Sequence, residues 1–508
     1  MTKELQPWNF RKLPLQERTG SDIFACLFIS ESSNKIATLL ESPYPNNLNN
    51  PQLTRYSICA GSPRVIDGVQ QMWIPRLGEV QHVLNRLLEK ELEKQSENTN
   101  FDASVSCLPF TGGWLGWLGY DVAWEIETLP TLTSDNLPFP VAFWYEPECF
   151  TVLDHQEQTL WLAASNQNQL DELENKLSQQ QLDFSNSILV KSHTNLAPLK
   201  LLTSQADYEA AVLKAKKYIQ AGDIFQTNLT IRFESQTTAS GWEIYQALQK
   251  INPSPFASYF KTPWGEVVSC SPERLVQVDG NIAQTRPIAG TRKRGRTQQE
   301  DEELAQELLS NSKERAEHIM LVDLERNDLG RVCEWGSVKV DELLTIERYS
   351  HVMHLVSNVK GTLRDNKNTT VDLIGSMFPG GTITGCPKVR CMEIIEELEP
   401  VRRSLFYGSC GYLDWRGNLD LNILIRTLLC STKVNESLEP ITPSDVKPYN
   451  SGSTSEVNYQ PSSNQHDPII NFVWGQVGAG IVADSNPKKE WDESLHKAQA
   501  QINALQRV

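Results

Sequence analysis

Charged side chains stand among apolar or glycine-rich residues at several places in the second half of the sequence. The segment 271–274, SPER, follows the predicted strand Glu266–Cys270 and places Glu273 beside a proline. Shielding from water raises the pKa of a carboxyl group, which would suit Glu273 to act as a general acid. A carboxylate on a surface turn is the alternative interpretation.

Carboxylates are dense in the segment 311–331, NSKERAEHIMLVDLERNDLGR, which predicts a helix. Glu314 and Glu317 are three residues apart, so they share a face with Leu321 and Asp328. An ordinary solvated helix face explains the same pattern.

A histidine and a glycine-rich turn complete the candidate chemistry. The segment 349–357, YSHVMHLVS, predicts a strand with His351 and His354 on opposite faces, so one of them can face a cleft. A strand histidine without chemistry is the alternative. In the segment 378–390, FPGGTITGCPKVR, glycines lead into a predicted helix and can cradle an anion, although the spacing is not that of a phosphate-binding loop.

Composition limits the kind of protein that positions these residues. The 508 residues contain 47 Lys and Arg against 63 Asp and Glu, a net charge of −16. A nucleic-acid partner is not expected, because nucleic-acid binders carry a basic footprint. An anionic ligand would need positive charge supplied locally, by a metal, an arginine or a helix N-terminus.

Cysteine spacing and hydropathy indicate a cytoplasmic protein without a membrane partner. The 10 cysteines are scattered singly, which predicts neither a zinc site nor a disulfide framework. The first residues lack the apolar core of a signal peptide. No apolar run is long enough to span a bilayer.

Two domains are predicted, 1–195 and 196–508. The first contains short predicted strands, among them Ile23–Ile29 and Lys35–Leu40. The second opens with a helix that Ser204 caps and Gly222 ends. The polar segment 433–467 predicts a flexible insertion between the strands Leu419–Cys430 and Ile469–Val477.

The order and wording of these segments resemble the chorismate-utilising enzymes, in particular component I of anthranilate synthase and of aminodeoxychorismate synthase. The matching segments are GDIFQ (222–226), SPERL (271–275), RPIAGTRKRG (286–295), RAEHIMLVDLERNDLGR (315–331), YSHVMHLVS (349–357), FPGGTITGCPKVRCMEII (378–395), GYL (411–413), ILIRT (423–427), GAGIVADS (478–485) and WDESLHKA (491–498). The resemblance implies an α+β fold, in which two large, mostly antiparallel sheets pack as a sandwich with helices outside.

The resemblance also implies site residues. Glu317 and Glu493 match the two glutamates that hold Mg²⁺ against the ring carboxylate of chorismate, a suitable role because Mg²⁺ prefers oxygen ligands. Glu273 matches the acid that protonates the departing ring hydroxyl, and His354 matches a histidine that assists loss of pyruvate. The remaining matched positions are implied substrate contacts: Thr382, Tyr407, Arg426, Gly478, Gly480 and Lys497.

Gln226 implies that ammonia, and not water, is the nucleophile. Water-adding relatives carry a lysine at this position to activate water, and a glutamine cannot act as that base. Nothing in the sequence resembles a glutamine-hydrolysing domain. A separate glutamine amidotransferase subunit, component II, is therefore implied as the source of ammonia.

Two products are compatible with the resemblance. The wording FPGGTITGCPK favours 4-amino-4-deoxychorismate, whereas Ala289 stands where many enzymes of that branch carry a nucleophilic lysine and is typical of anthranilate synthases. The segment LLES, with Leu40, Glu41 and Ser42, resembles the tryptophan site of anthranilate synthases. A catalytically silent regulatory paralogue is a further alternative.

Overall fold

The computed structural model describes residues 8–29, 35–42, 51–92, 103–180, 197–349, 352–364, 369–432 and 470–508. Within these residues the helices are α1 Gly20–Leu27, α2 Val80–Leu92, α3 Ala103–Ser106, α4 Ala123–Ile126, α5 Gln167–Gln180, α6 Gln205–Ala221, α7 Gly241–Ile251, α8 Gln298–Ser310, α9 Ser312–Gly330, α10 Thr369–Met377, α11 Gly381–Thr384, α12 Lys388–Leu398 and α13 Pro487–Arg507. Short 3-10 turns occupy Pro51–Thr54 and Tyr120–Val122.

Most strands of the same described ranges form two large antiparallel sheets. The strands are β1 Asn9–Pro14, β2 Ala37–Glu41, β3 Tyr56–Ala60, β4 Val65–Ile66, β5 Val69–Gln70, β6 Met72–Trp73, β7 Gly113–Leu118, β8 Ala142–Tyr145, β9 Cys149–Asp154, β10 Thr159–Ala164, β11 Lys200–Leu201, β12 Gln226–Thr237, β13 Phe256–Thr262, β14 Gly265–Ser271, β15 Arg274–Asp279, β16 Ile282–Thr285, β17 Ile288–Lys293, β18 Lys339–Arg348, β19 Val352–Thr362, β20 Gly385–Cys386, β21 Ser409–Asp414, β22 Leu419–Asn422, β23 Thr427–Ser431 and β24 Asn471–Ile481.

The strand order defines sheet I and sheet II. Sheet I runs β1-β10-β9-β3-β2-β13-β14-β23-β24-β12-β11, with β20 also paired to β12. Sheet II runs β17-β19-β16-β15-β22-β21-β7-β8-β6, with β18 also paired to β19. The short strands β4 and β5 pair with each other.

Alternating side chains show that the sheets pack face to face. In β14, Val267 belongs to the core shared with sheet II, which includes Trp117 of β7, whereas Val268 packs in a second core with helical residues such as Leu248 of α7. Successive strand residues point to opposite faces, so one face of sheet I meets sheet II and the other meets helices. The predicted α+β sandwich is confirmed.

Both sheets combine strands from distant parts of the chain. In sheet I, Leu40 of β2 pairs with Ser258 of β13, and in sheet II, Trp117 of β7 pairs with Cys410 of β21. The predicted domain boundary at residue 195 and the predicted insertion 433–467 lie outside the described residues. The division into two domains stays a prediction.

Two local predictions are wrong. The segment Ile23–Ile29, predicted as a strand, lies mostly in the helix α1, because Thr19 and Asp22 form a capping box and Ile23, Phe24 and Leu27 lie on one buried face. The predicted strand Leu419–Cys430 is two strands: β22 belongs to sheet II and β23 to sheet I. By contrast, Ser204 does cap the helix α6, and Gly222 ends it with a left-handed φ of 83°.

Candidate active site

Two adjacent crossings between the sheets organise the candidate site. The turn from β14 to β15 carries Glu273 from sheet I to sheet II, and the segment from β22 to β23 returns from sheet II to sheet I. The Glu273 carbonyl accepts a hydrogen bond from the Ile423 N–H (3.0 Å), and the Ser271 hydroxyl donates to the Ile423 carbonyl (2.5 Å). The crossings therefore hold each other in place.

Glu273 is buried in this crossing without full hydrogen bonding. Glu273 is only 5% exposed, and its Oε1 has no hydrogen-bond partner among the described residues. Burial raises the pKa of Glu273 to about 7, against smaller opposing effects of the Thr382 hydroxyl, the Ile288 N–H and the Lys497 ammonium. A substantial fraction of Glu273 is therefore protonated near neutral pH, and the alternative of an exposed turn carboxylate is wrong.

Arg426 and His354 lie close enough for the guanidinium to act on the imidazole. Arg426 has a left-handed φ of 49°, and its Nη1 donates to Asn252 Oδ1 (2.8 Å). His354 is buried, with Nδ1 2.9 Å from the Thr291 hydroxyl. Burial, followed by the charge of Arg426, lowers the pKa of His354 to about 3. His354 is therefore a neutral imidazole at neutral pH.

Glycines allow β24 to carry the candidate site close to β12. A Cβ on Gly480 would lie 2.7 Å from Gln226 Nε2, and one on Gly478 would lie 2.4 Å from the Leu229 carbonyl oxygen. Any larger residue would therefore displace the Gln226 amide or the neighbouring strand. Gln226 is 8% exposed, and its Oε1 has no hydrogen-bond partner among the described residues.

Lys497 connects β24 with the acidic part of the site. Its Nζ donates to the Gly478 carbonyl (3.0 Å) and lies 2.9 Å from Glu493 Oε1. Its positive charge also lowers the pKa of Glu273. Lys497 therefore stands between the glutamate of the helix α13 and the buried acid.

Thr382 and Tyr407 occupy neighbouring connections. Thr382 lies in α11, where its buried hydroxyl is near enough to Glu273 to favour the charged carboxylate, although no hydrogen bond of ordinary geometry forms among the described residues. Tyr407 is buried with a left-handed φ of 65°; its ring packs 4.8 Å from the Arg403 guanidinium, and its N–H donates to the Leu424 carbonyl (2.9 Å). The Leu424 contact ties Tyr407 to the same β22–β23 crossing that carries Arg426.

Four glutamates from two helices approach each other. Burial is the main cause that raises the pKa of Glu317 in α9, and the negative charges of Glu314, Glu490 and Glu493 add to it. The Lys313 ammonium lies 3.7 Å from Glu317 Oε1 and opposes them. Like charges held this close would be relieved by a bound cation.

The carboxylates do not form a complete metal cage by themselves. Among the described residues, no group of three or more His, Cys, Asp or Glu side chains is arranged to hold a metal ion. A pair such as Glu317 and Glu493 is nevertheless compatible with Mg²⁺, which is usually bound by one or two carboxylates together with waters and a ligand oxygen.

The candidate tryptophan residues lie at the end of β2, where Glu41 has a complete set of partners. Glu41 accepts hydrogen bonds from the Ser21 N–H (2.9 Å), the Ser21 hydroxyl (2.6 Å) and the Tyr245 hydroxyl (2.7 Å). Leu40 is half-buried against the shared core, and the buried Ser42 hydroxyl has no partner among the described residues. A tryptophan contact at Leu40, Glu41 and Ser42 stays a prediction.

Sequence reasoning missed the residues that hold the candidate side chains in place. Asn252 fixes Arg426, Thr291 contacts His354, and Ser271 joins the two crossings. Their types are common in turns and strands, and only the pairing of distant strands gives them these partners. The carboxylates Glu325 and Asp328 of α9 were visible in the sequence, but their burial was not.

Within the part of the chain that the structure describes, no helix combines the length and apolar character needed to cross a membrane.

The chain is similar to several named proteins over most of its length. The chain is 57% identical over 508 residues to an anthranilate synthase component I-like protein of Synechocystis, covering 99% of this chain and 93% of that protein. It is 42% identical over 403 residues to aminodeoxychorismate synthase component 1 of Bacillus subtilis, covering 78% and 77%. Anthranilate synthase component 1 of the same Synechocystis strain is 38% identical over 423 residues, covering 78% and 77%.

A solved structure of a named protein has a similar fold. The anthranilate synthase component I of Streptococcus pneumoniae TIGR4 superposes with a TM-score of 0.67 at 29% identity, covering 88% of this chain and 92% of that one. The family model described as "chorismate binding enzyme" matches residues 39–436 and 467–503, which include every candidate site residue above. With the fold, the family model and the relatives in agreement, this chain belongs to the chorismate binding enzyme family.

Proposed function

We propose that this enzyme aminates chorismate with ammonia to give 4-amino-4-deoxychorismate and water. The observation that carries the proposal is the buried Glu273, whose Oε1 has no hydrogen-bond partner among the described residues and whose pKa burial raises to about 7, in a site that also contains the Gln226 amide. The site thus has an acid for the leaving hydroxyl and, at Gln226, a side chain that cannot serve as a general base.

The acid is needed because hydroxide is a poor leaving group. As the C–O bond of the ring hydroxyl breaks, Glu273 donates its proton to that oxygen, and water departs. The C–N bond forms with ammonia, whose surplus proton returns to the Glu273 carboxylate, so the charges balance and the acid is restored. The burial of Glu273 keeps the proton available near neutral pH.

The anionic substrate would be held by residues on both sides of the acid. Arg426, fixed by Asn252, offers a guanidinium suited to bidentate contact with a carboxylate. Glu317 and Glu493 would hold Mg²⁺ opposite the ring carboxylate. When bound, Mg²⁺ would supply the positive charge that this chain of net charge −16 lacks at the site.

Ammonia would come from a separate glutamine amidotransferase subunit. Gln226 is an amide where a water-activating lysine would be required, and its side chain lies directly against Gly480 of β24. Because an amide does not accept a proton at neutral pH, the attacking group must already be nucleophilic. Free ammonia fulfils that condition, whereas water does not.

The choice of the 4-amino-4-deoxychorismate branch is supported by two relatives. The chain is more similar to the anthranilate synthase component I-like protein of Synechocystis (57%) than to the anthranilate synthase component 1 of the same strain (38%). Because that strain already contains a protein named anthranilate synthase component 1, a second, similar protein in the same strain can be a paralogue that makes a different product. The Bacillus subtilis relative is named aminodeoxychorismate synthase component 1.

Anthranilate synthesis is the second candidate, and two residues favour it. Ala289 of β17 pairs with Leu355 of β19 and offers no nucleophile for a covalent route. One residue along β19, His354 stands at the position that the resemblance assigns to a histidine assisting the loss of pyruvate, and burial keeps its imidazole neutral. Direct attack by ammonia would be needed in either branch.

Product analysis of the purified chain tests both candidates. We expect chorismate, ammonium and Mg²⁺ to give a product that retains its enolpyruvyl group, with pyruvate appearing only after a lyase specific for 4-amino-4-deoxychorismate is added. Glutamine in place of ammonium should give no turnover. Immediate release of pyruvate with anthranilate fluorescence would establish the second candidate. Absence of any turnover with ammonium would contradict both and favour a regulatory role.

A further inference from the structure

Each of the two glutamates proposed to hold Mg²⁺ lies beside a lysine of its own helix. In α13, Lys497 Nζ lies 2.9 Å from Glu493 Oε1, and in α9, Lys313 Nζ lies 3.7 Å from Glu317 Oε1. The members of each pair are four residues apart, so their side chains share a face of the helix. The proposed function assigns no role to Lys313.

The two lysines are held differently. Lys497 also donates to the Gly478 carbonyl (3.0 Å), which fixes its ammonium beside β24. The side chain of Lys313 is 56% exposed, and it makes no other ion pair among the described residues. At 3.7 Å its ammonium lies beyond hydrogen-bond distance from Glu317. Such an exposed pair is weak, so another cation can replace the lysine at little cost.

The charge of Lys313 acts on carboxylates of both helices. Burial is the main cause that raises the pKa of Glu317 in α9 and of Glu490 in α13, and the Lys313 ammonium opposes it at both. Glu314 has a different partner, because the Arg292 guanidinium lies 3.2 Å from its Oε1. Lys313 therefore adds positive charge to the same group of carboxylates that the proposed ion would use.

We propose that Lys313 competes with the metal ion for Glu317 and lowers the affinity of the site for the free ion. This inference rests on the proposed metal site at Glu317 and Glu493. A divalent cation at the Glu317 carboxylate is repelled by the ammonium beside it, and it must also break the ion pair. The lysine stem is flexible and exposed, so the ammonium can turn to solvent when the ion binds.

Binding of Mn²⁺ to the full chain without substrate tests the proposal. Mn²⁺ prefers the same oxygen ligands as Mg²⁺, and the electron paramagnetic resonance signal of the free ion shows how much is bound. Lys313→Gln removes the charge, and we expect the Kd for Mn²⁺ to fall about threefold at physiological ionic strength. Lys313→Arg keeps the charge and should retain the affinity of wild type. Arg326→Gln removes the same charge about 13 Å beyond Glu317 along α9 and should leave the affinity unchanged.

A second pair of variants separates failure of this inference from failure of the proposed function. Glu317→Gln should weaken Mn²⁺ binding, and Glu303→Gln, which removes an exposed carboxylate from α8, is its control. If Glu317→Gln binds Mn²⁺ as wild type does, the proposed metal site is wrong, and the role of Lys313 is wrong with it. Tighter binding in Lys313→Gln by an enzyme that forms anthranilate would support the role of Lys313 and contradict only the proposed product.

Two results would overturn the role of Lys313 alone. The first is an unchanged or higher Kd for Mn²⁺ in Lys313→Gln, while Glu317→Gln still weakens binding. The second is an equal fall of the Kd in Arg326→Gln, because the net charge of the chain would then explain the effect without any contact at Glu317.

Discussion

Glu41 and Glu273 are both buried glutamates, yet their surroundings differ. Glu41 is 4% exposed and accepts three hydrogen bonds, from Ser21 and Tyr245. Glu273 is 5% exposed and leaves Oε1 without a partner among the described residues. Burial raises the pKa of both carboxyls.

The difference lies in what each carboxyl can still do. The oxygens of Glu41 accept hydrogen bonds from Ser21 at the start of α1 and from Tyr245 of α7, so the side chain joins these two helices to β2. The free oxygen of Glu273 can meet a ligand. Burial alone therefore does not identify a reactive acid, and the oxygen without a partner is what distinguishes Glu273 from Glu41.

The largest expected effect is on turnover in Glu273→Gln. Removal of the acid should lower kcat by roughly 10²–10⁴-fold, because the departing hydroxyl then leaves without a proton. Product formation with ammonium at saturating Mg²⁺ measures the loss, and circular dichroism checks the fold. If the kcat of Glu273→Gln stays within a few-fold of wild type, Glu273 is not the acid and does not differ from Glu41 in function.

Glu41→Ala should act on stability instead. It strands buried donors of Ser21 and Tyr245, and the free energy of unfolding should fall by about 3 kcal/mol. Urea unfolding measures the change, and the kcat of the folded fraction should fall far less than in Glu273→Gln. A stable Glu41→Ala protein with the turnover of Glu273→Gln would reverse the assignment of the two residues.

The pH dependence of stability sharpens the contrast further. The pKa of Glu273 is about 7 in the folded chain against about 4.3 in the unfolded chain, so the folded state binds more protons between these values. Wild type should therefore lose about 2 kcal/mol of stability relative to Glu273→Gln as the pH rises from 5 to 7. If the difference in free energy of unfolding between wild type and Glu273→Gln is the same at pH 5 and pH 7, the raised pKa of Glu273 is contradicted.

Glu317 adds a third kind of glutamate, which is neither paired like Glu41 nor enclosed like Glu273. Its side chain is 28% exposed and lies among like charges. Glu317→Gln should raise the Mg²⁺ concentration for half-maximal activity by about tenfold, with Glu303→Gln as the control. An unchanged Mg²⁺ requirement would show that these glutamates repel each other without binding the ion.

The sequence predicted the family and the sandwich, because the matching segments are long and ordered, whereas the roles of the candidate residues stay predictions. It also located α6 from its caps. It did not predict α1, since an apolar run of seven residues, Ile23–Ile29, fits a strand or a helix and the deciding contact, Glu41 to Ser21, comes from a distant strand. Nor could it separate β22 from β23.

The charge states of the buried side chains in the site could not be predicted from the sequence either. Whether Glu273, Glu325 or His354 is charged depends on burial, which is set by the packing of both sheets. Spacing showed that carboxylates in α9 share a face, but not that Lys388 would be engaged by Asp328 and two carbonyls.

The pairing of β12 with β24 has a consequence for how the protein is made. Thr227 pairs with Ile481 and Thr237 with Asn471, and β23 meets β24 across the segment 433–469. During translation β12 is synthesised long before β24, so the edge of β12 that pairs with β24 stays unpaired until then. Contacts so distant in sequence slow folding and prolong exposure to aggregation. Nascent chains released before residue 481 should therefore depend on chaperones and lack amination activity.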